Sequence, residues 1–204
     1  MGQDSLPVTK NFHFADGAYL SMAAWQANRP ELPQAEISME HFTNPQTAVT
    51  QVREVRYRGS GQRVPLDSIR VIVLGGVPSV RVSREEISKE LPSFAALKLR
   101  GKVCYYTYPD WRKRTVAISA YNPLNGRPFR SGRVEREEEV IVEKLLHFET
   151  GETADFNLEN FLRFISDDPL LVETYAELPA EAQAEKLFKG LLIYVDRNPT
   201  YIRR

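Results

Sequence analysis

The chain has 204 residues, of which 42% are hydrophobic and 26% charged, and its 27 basic and 27 acidic residues give a net charge of zero. This length and composition are typical of a globular protein with a sizeable core. The balanced charge argues against a nucleic-acid-binding protein, which usually carries a basic surface. A single cysteine excludes an internal disulfide framework, and no apolar run approaches the ~18 residues of a membrane-spanning helix.

The front part of the chain combines helical and strand patterns. Residues 1–11 are polar and predict a loose N-terminus. Ser21 suits the N-cap of a short helix, and Gly75-Gly76 predicts a hairpin turn between two apolar strands. The elements predicted for this part are a helix over Met22–Ala27, strands over Ile37–Phe42, Val52–Arg58, Ile69–Leu74 and Val77–Val82, and a short helix that starts at the capping box Ser83–Glu86.

The central stretch predicts three successive strands, Lys98–Tyr108, Thr115–Tyr121 and Glu135–Leu146, that pair in sequence order. Successive side chains of a strand point to opposite faces, so the first strand has an apolar face and a second face made partly aromatic by Tyr106 and Tyr108. The apolar face consists of Leu99, Val103 and Tyr105.

Two turns are predicted between these strands. Proline cannot donate to a strand ladder and aspartate often follows it in turns, so Tyr108-Pro109-Asp110-Trp111 predicts the first turn. Asn-Gly pairs favour positive φ angles, and Asn122–Gly126 therefore predicts the second turn.

The C-terminal part predicts helices. Asn157 and Asp168 suit the N-caps of two of them, the first of which covers Leu158–Ile165. Pro179 starts a third helix, and the apolar stripe that it is predicted to bury consists of Ala184, Leu187, Phe188, Leu191 and Val195.

Strands followed by helices predict an α+β fold, in which an antiparallel β-sheet core over residues 12–148 is followed by a C-terminal helical segment over residues 149–204. No linker composition divides the two parts. We therefore expect a single domain over residues 1–204.

The sequence contains no recognisable catalytic, cofactor-binding or metal-binding motif, so we expect a non-enzymatic protein. Cys104 lies in the middle of a predicted strand, where a free cysteine is usually buried and inert. His147, Glu149 and Glu152 lack the closer His and Cys spacing of zinc sites. The alternative is a hydrolase-like enzyme with a site around His147, Glu149 and Cys104. Burial of Cys104, or its separation from His147, would argue against that enzyme.

An aromatic and basic cluster on the first central turn is the strongest candidate for function. Its residues are Tyr108, Trp111, Arg112 and Arg114. Tryptophan, tyrosine and arginine often dominate the binding energy of protein interfaces, so the cluster predicts an accessory or binding protein that acts through protein–protein contacts. The alternative for the cluster is that Trp111 folds back onto the sheet while the basic residues face water. A small-ligand or glycan-binding protein is a further alternative, which a wide tyrosine-lined cleft between sheet and helices would favour.

Short motifs along the chain resemble a group of uncharacterised secreted proteins of Bacteroidetes bacteria. The start, Asp16–Ser21 followed by Trp25, Asn28 and Pro30, is similar to that group's DG-x-YLS-x-x-x-[FW]-x-x-N-x-P pattern, and Gly101–Tyr105 is similar to its G-x-x-x-Y strand. The segments that resemble the group's closing helices and its Y-N-x-[RK]-N-P signature are Leu146–Glu152, Phe156-Asn157, Asp167–Pro169 and Arg197–Pro199, with Tyr194-Val195-Asp196 in place of the usual Tyr-Asn pair.

The resemblance implies an exported protein, located in the periplasm, at the outer membrane or outside the cell after removal of a signal peptide. A cytoplasmic location is the alternative. We expect another envelope protein as the partner, and neither nucleic acid nor a transmembrane segment. The shared residues also have a physical interpretation, because Gly17 and Gly151 suit turns while Trp25 and Phe161 suit a core.

Overall fold

The structure, a computed structural model, describes residues 5–82, 91–121 and 128–203. The predicted capping box at Ser83–Glu86 and the predicted turn at Asn122–Gly126 lie outside these residues. The described strands are β1 (Ser5–Val8), β2 (Gly17–Tyr19), β3 (Leu32–Pro33), β4 (Ile37–Asn44), β5 (Val49–Tyr57), β6 (Val71–Leu74), β7 (Val77–Val82), β8 (Ser93–Leu99), β9 (Val103–Tyr121), β10 (Pro128–His147), β11 (Thr153–Asp155) and β12 (Thr200–Arg203). The described α-helices are α1 (Met22–Gln26), α2 (Leu158–Phe164), α3 (Pro169–Ala176), α4 (Ala180–Glu185) and α5 (Leu187–Arg197).

Ten of the described strands form one antiparallel sheet with the order β11-β10-β9-β8-β7-β6-β2-β3, in which β5 also pairs with β8 and β4 pairs with β5. The α+β prediction is confirmed. β1 and β12 form a separate antiparallel pair, so residues 5–8 lie in a strand and not in the loose N-terminus that the sequence predicts.

None of the helices that the structure describes has the length and apolarity needed to cross a membrane.

The central stretch is a hairpin of two long strands, and the prediction of three strands is wrong. β9 runs unbroken through Tyr108-Pro109-Asp110-Trp111, where the sequence predicts a turn. It pairs with β10 from Val103↔His147 to Tyr121↔Pro128. Beyond Tyr106, β10 is the only described strand that pairs with β9, and edge strands of this kind tolerate proline. The extended ladder therefore overrides the turn preference of the Pro-Asp pair.

The first central turn lies earlier in the chain than predicted. β8 ends at Leu99 and β9 begins at Val103, which divides the predicted strand Lys98–Tyr108. A Cβ atom added to Gly101 would lie 2.4 Å from Val195 Cγ1, so helix α5 approaches this turn too closely for a larger residue.

A register shift between β8 and β9 separates two core clusters. Leu97 pairs with Tyr106, whereas Leu99 pairs with Tyr105. Residues that pair across a sheet share a face, so the irregularity at Lys98 sends Leu97 and Leu99 to opposite faces. The predicted apolar face of Leu99, Val103 and Tyr105 is confirmed.

The first cluster lies on the face of Leu97 and Tyr106, and its largest members include Phe14, Tyr19, Trp25 and Phe148. The second lies between the sheet and the helices, and includes Tyr105, Leu145, Phe161, Leu191 and Tyr194. A third cluster is formed mainly by strands β2 to β6, with Phe94 of β8. The sheet therefore carries buried apolar residues on both faces of β9.

The predicted starts of the helices are confirmed, but the predicted buried stripe is wrong in part. The Asn157 and Asp168 side chains accept hydrogen bonds from the backbone N–H groups of Asn160 and Leu171. The chain that follows Pro179 breaks at Lys186 into α4 and α5, so one continuous stripe cannot form. Leu191 is fully buried, whereas Phe188 is 43% exposed. The buried residues of α5 are Gly190, Leu191 and Tyr194.

We expect Leu191→Ala to lower the free energy of unfolding by about 2–5 kcal/mol, because removing a fully buried leucine leaves a cavity. Leu192→Ala is the matched control on the same helix. Leu192 is 39% exposed, so its substitution should cost about 1 kcal/mol or less. Urea denaturation followed by circular dichroism measures both values. Equal losses for the two variants would contradict the packing of α5 against the sheet.

Candidate functional site

The four candidate interaction residues lie on one strand but on two different faces. Strand alternation places Tyr108, Arg112 and Arg114 on the face of Tyr106 and places Trp111 on the opposite face. Tyr108 is only 6% exposed, so it does not belong to an exposed contact surface. Trp111 is 37% exposed, and both arginines are exposed.

The outer parts of β9 and β10 form a two-stranded extension, which we call the distal ribbon and define as residues 111–118 and 132–141. Its strands pair with each other and with no other described strand. Val116 and Val140 are partly covered, and every other side chain of the ribbon is exposed. With a rise of ~3.4 Å per residue, residues 111–118 alone extend over ~25 Å.

The two faces of the distal ribbon differ in charge. The face of Trp111 carries three glutamates and two bases, namely Glu135, Glu137, Glu139, Lys113 and Arg133. The opposite face carries three arginines and one glutamate, namely Arg112, Arg114, Arg136 and Glu138. Arg114 and Glu138 are 3.5 Å apart, and both are more than half exposed, so this ion pair contributes little stability.

The acidic face of the distal ribbon also carries an apolar spot. Trp111 lies opposite Glu139, and Ile141 lies opposite Pro109 in the adjacent row of the same face. Ile141 is 62% exposed. Trp111 and Ile141 thus expose apolar surface to solvent among the charged side chains of this face.

A cleft of about 680 Å³ opens on the other face of the hairpin, and we call it the tyrosine cleft. The Tyr106 and Tyr108 rings stack at its wall, with centroids 6.3 Å apart and planes 18° from parallel. The charged residues that line it are Arg81, Asp110, Arg112, Lys113 and Lys144. It lies on the face opposite helices α2, α3 and α5. The space between sheet and helices, where the sequence analysis considered a cleft, holds the second core cluster.

Tyr106 and Tyr108 are buried, but their hydroxyl groups form no hydrogen bond with the described part of the protein. Tyr106 and Tyr108 are 4% and 6% exposed, yet within the described part of the chain neither hydroxyl group has a hydrogen-bond partner. Burial raises the pKa of Tyr106, and Tyr108 and Asp155 add to the increase. Burial also raises the pKa of Tyr108. Both groups are therefore hydrogen-bond donors at neutral pH.

Cys104 and His147 do not form a catalytic pair. Cys104 lies opposite Leu146 and points into the first core cluster, whereas His147 lies opposite Val103 on the other face. Cys104 is 1% exposed, and burial raises the pKa of its thiol to about 12. Burial also lowers the pKa of His147. This placement argues against the hydrolase-like alternative.

The acidic residues near His147 have other partners. Glu149 accepts a hydrogen bond of 3.1 Å from the Thr200 hydroxyl group, and Glu152 forms an ion pair with Arg163. Within the described ranges, no group of three or more His, Cys, Asp or Glu side chains is placed to hold a metal ion.

The residues of the N-terminal motif stabilise the local fold. Asn28 Oδ1 accepts hydrogen bonds from the backbone N–H of Ala15 at 2.7 Å and from the Tyr19 hydroxyl group at 3.3 Å. Gly17 has a φ angle of 146°, and a Cβ atom there would lie 2.4 Å from the Leu32 carbonyl oxygen. Trp25 is fully buried, as predicted.

The C-terminal motif residues hold the end of the chain to α3. The buried Asp168 caps α3 and accepts hydrogen bonds from Arg197 at 3.2 Å and Asn198 at 3.0 Å. Asp167 accepts one from the Tyr194 hydroxyl group at 2.7 Å and pairs with Lys102. These contacts give each side chain a role in folding that requires no ligand.

Comparisons of the chain with known protein families, with curated proteins and with solved structures found no match. The site therefore has to be interpreted from its own geometry.

Sequence reasoning did not select Arg81, Asp110 or Lys144 as site residues. The available signal was the alternation of Tyr106, Tyr108, Asp110 and Arg112, which share a face only if the strand continues through Pro109. Placing a turn at Pro109 concealed that signal. Arg81 and Lys144 come from other strands, and only the pairing of the sheet brings them to the border of the cleft.

Native Cys104 should react with a thiol reagent at pH 8 roughly 10³-fold more slowly than it does in the unfolded chain, because the thiolate is the reactive form. The raised pKa of about 12 keeps the folded-state thiol protonated. A Cys104→Ala, Thr115→Cys variant is the control with an exposed thiol, and it should react quickly in the native state. Rapid labelling of native Cys104 would contradict its buried position.

Proposed function

We propose that this protein is a non-enzymatic binding protein of the cell envelope, which contacts another envelope protein through the distal ribbon. The observation that carries this proposal is a long ribbon that pairs only with itself in the described structure, yet presents Trp111 and Ile141 to solvent. A location in the envelope rests on the resemblance of the sequence motifs to those of secreted Bacteroidetes proteins.

Folding of the protein alone does not account for the exposed ribbon. Two-stranded hairpins are marginally stable in water unless a further layer packs against them. Here the inner half of the hairpin is packed, because Tyr105 and Tyr106 lie in the two main core clusters. The outer half gains no such packing from the residues that the structure describes, so its length and exposed apolar residues are consistent with contact to a partner.

The ribbon offers a partner two kinds of contact. Its outer edges carry backbone groups that pair with no other described strand, and to these an extended segment of another protein can add as a strand. Its acidic face offers Trp111 as an aromatic anchor beside Ile141, which fits an apolar pocket with basic surroundings. The arginines of the opposite face contribute longer-range attraction to an acidic surface.

The candidate residues therefore have different proposed roles. Trp111 is the anchor, since buried tryptophans often dominate binding energy. Arg112 and Arg114 act on the rate of association and on its salt dependence, because exposed charges at the rim of an interface mainly steer encounter. Tyr108 has no role in the contact, because it is buried in the free protein.

A photo-crosslinking residue at Lys113 should capture one defined envelope protein in the native organism, identified by mass spectrometry. With that partner purified, Trp111→Ala should weaken binding at least about tenfold. The Arg112→Ala, Arg114→Ala variant should lower the association rate at low salt more than at high salt. Tyr57→Ala is the matched control, since Tyr57 is also 37% exposed and lies outside the ribbon.

The proposal would be contradicted by either of two results. One is the absence of a specific crosslinked species, with labelling spread over abundant proteins. The other is a partner whose affinity is the same for Trp111→Ala and for Tyr57→Ala.

A further inference from the structure

We infer that the tyrosine cleft binds a small polyhydroxylated acid of the sugar-acid class. This site depends on Tyr106, Tyr108 and Asp110, which lie on the strand face opposite Trp111. Trp111 also borders the cleft, but no ligand group is assigned to it. Failure of this inference would leave the proposal for the ribbon intact.

The first observation is a pair of unpartnered donors at the cleft wall. Hydroxyl groups of buried residues are almost always hydrogen-bonded, to the protein, to water or to a ligand. Tyr106 and Tyr108 are each more than nine-tenths buried, but neither hydroxyl group has a partner among the described residues. Trp25 Nε1 is the only fully enclosed unpartnered side-chain atom in the described residues, so both tyrosine hydroxyl groups reach the open space of the cleft.

The second observation is a buried acceptor beside these donors. Asp110 is 7% exposed and lines the cleft on the same strand face. Its Oδ1 atom accepts a hydrogen bond of 3.0 Å from the backbone N–H of Trp111, and no described cation forms an ion pair with it. A carboxylate in this position can accept hydrogen bonds from ligand hydroxyl groups.

The third observation is an arginine beside that acceptor that has no ion-pair partner among the described residues. Arg81 and Lys144 are paired with Asp67 and Asp155, each at 2.7 Å. Arg112 shares the face of Asp110 and has no ion-pair partner in the described part of the chain. Lys113 also borders the cleft, but strand alternation places its side chain on the opposite face. An unpaired arginine beside the acceptor favours a ligand that carries an anionic group as well as hydroxyl groups.

The ligand must pair with the arginine and also with the hydrogen-bonding groups of Asp110 and the two tyrosines. A bare anion would leave the tyrosine donors partly unused and would be repelled by Asp110. A neutral sugar would leave Arg112 without a counter-charge. A carboxylate bound by Arg112, together with hydroxyl groups that meet Asp110 and the two tyrosines, uses all four of these groups.

The size of the cleft agrees with this class of ligand. Its volume of about 680 Å³ falls in the usual range of small-molecule sites. A second cavity of about 620 Å³ shares Arg81, Tyr106 and Thr153 with it. The site therefore has room for one sugar acid and for an attached residue that extends into the neighbouring cavity.

The test is isothermal titration of the purified protein with D-galacturonate and with D-glucuronate, with D-glucose and glucose 6-phosphate for comparison. We expect saturable binding of a uronate with a Kd below about 1 mM and none of glucose. Tyr106→Phe with Tyr108→Phe should weaken binding at least about fivefold, and Arg112→Gln at least about tenfold. The tyrosine substitutions should leave the thermal midpoint unchanged or raise it, because they remove only unpartnered oxygen atoms.

Tyr57→Phe and Arg133→Gln are matched controls outside the cleft and should bind as the unmodified protein does. Three results would overturn the inference. These are no saturable binding of either uronate, equal binding of glucose, and uronate binding that the cleft substitutions do not change. Tighter binding of glucose 6-phosphate with the same loss in the variants would support the anionic sugar site and assign its anion as a phosphate.

Discussion

The backbone pairing of β9 with β10 is the constraint on which both candidate sites depend. Because this ladder keeps one register from Val103 to Ala120, side chains alternate between the two faces without interruption along that part of β9. Tyr105 therefore packs against the helices, Tyr106 and Tyr108 face the cleft, and Trp111 emerges on the outer ribbon. One strand thus supplies the core, a ligand-sized cleft and an exposed surface, and a turn at Pro109 would abolish the last two.

The residues of the N-terminal and C-terminal sequence motifs have structural roles. Asn28 and Asp168 gather hydrogen bonds from separate segments, and Gly17 leaves no space for a side chain. Buried polar groups that are satisfied in this way specify a fold, and breaking them is costly. The motifs therefore describe how the two ends of the chain are held. They say little about the distal ribbon or the tyrosine cleft, which lie outside them.

Sequence reasoning succeeded where a local signal and the tertiary structure agree. The Gly75-Gly76 hairpin and the caps at Asn157 and Asp168 depend on neighbouring residues alone. It failed at Pro109 because a long ladder outweighs a local turn preference. It failed at Phe188 because the break at Lys186 changes which residues of α5 face the core. The same error at Pro109 hid the tyrosine cleft, since only an unbroken strand aligns Tyr108 with Asp110.

The continuity of β9 is the central claim, and nuclear Overhauser contacts between the two strands test it most directly. In an antiparallel pair, opposite residues give short Hα–Hα or HN–HN distances in alternation. The account predicts such contacts for Trp111 with Glu139, Lys113 with Glu137 and Thr115 with Glu135. Contacts that instead join residues 115–121 to residues 98–108, with a turn between them, would contradict it.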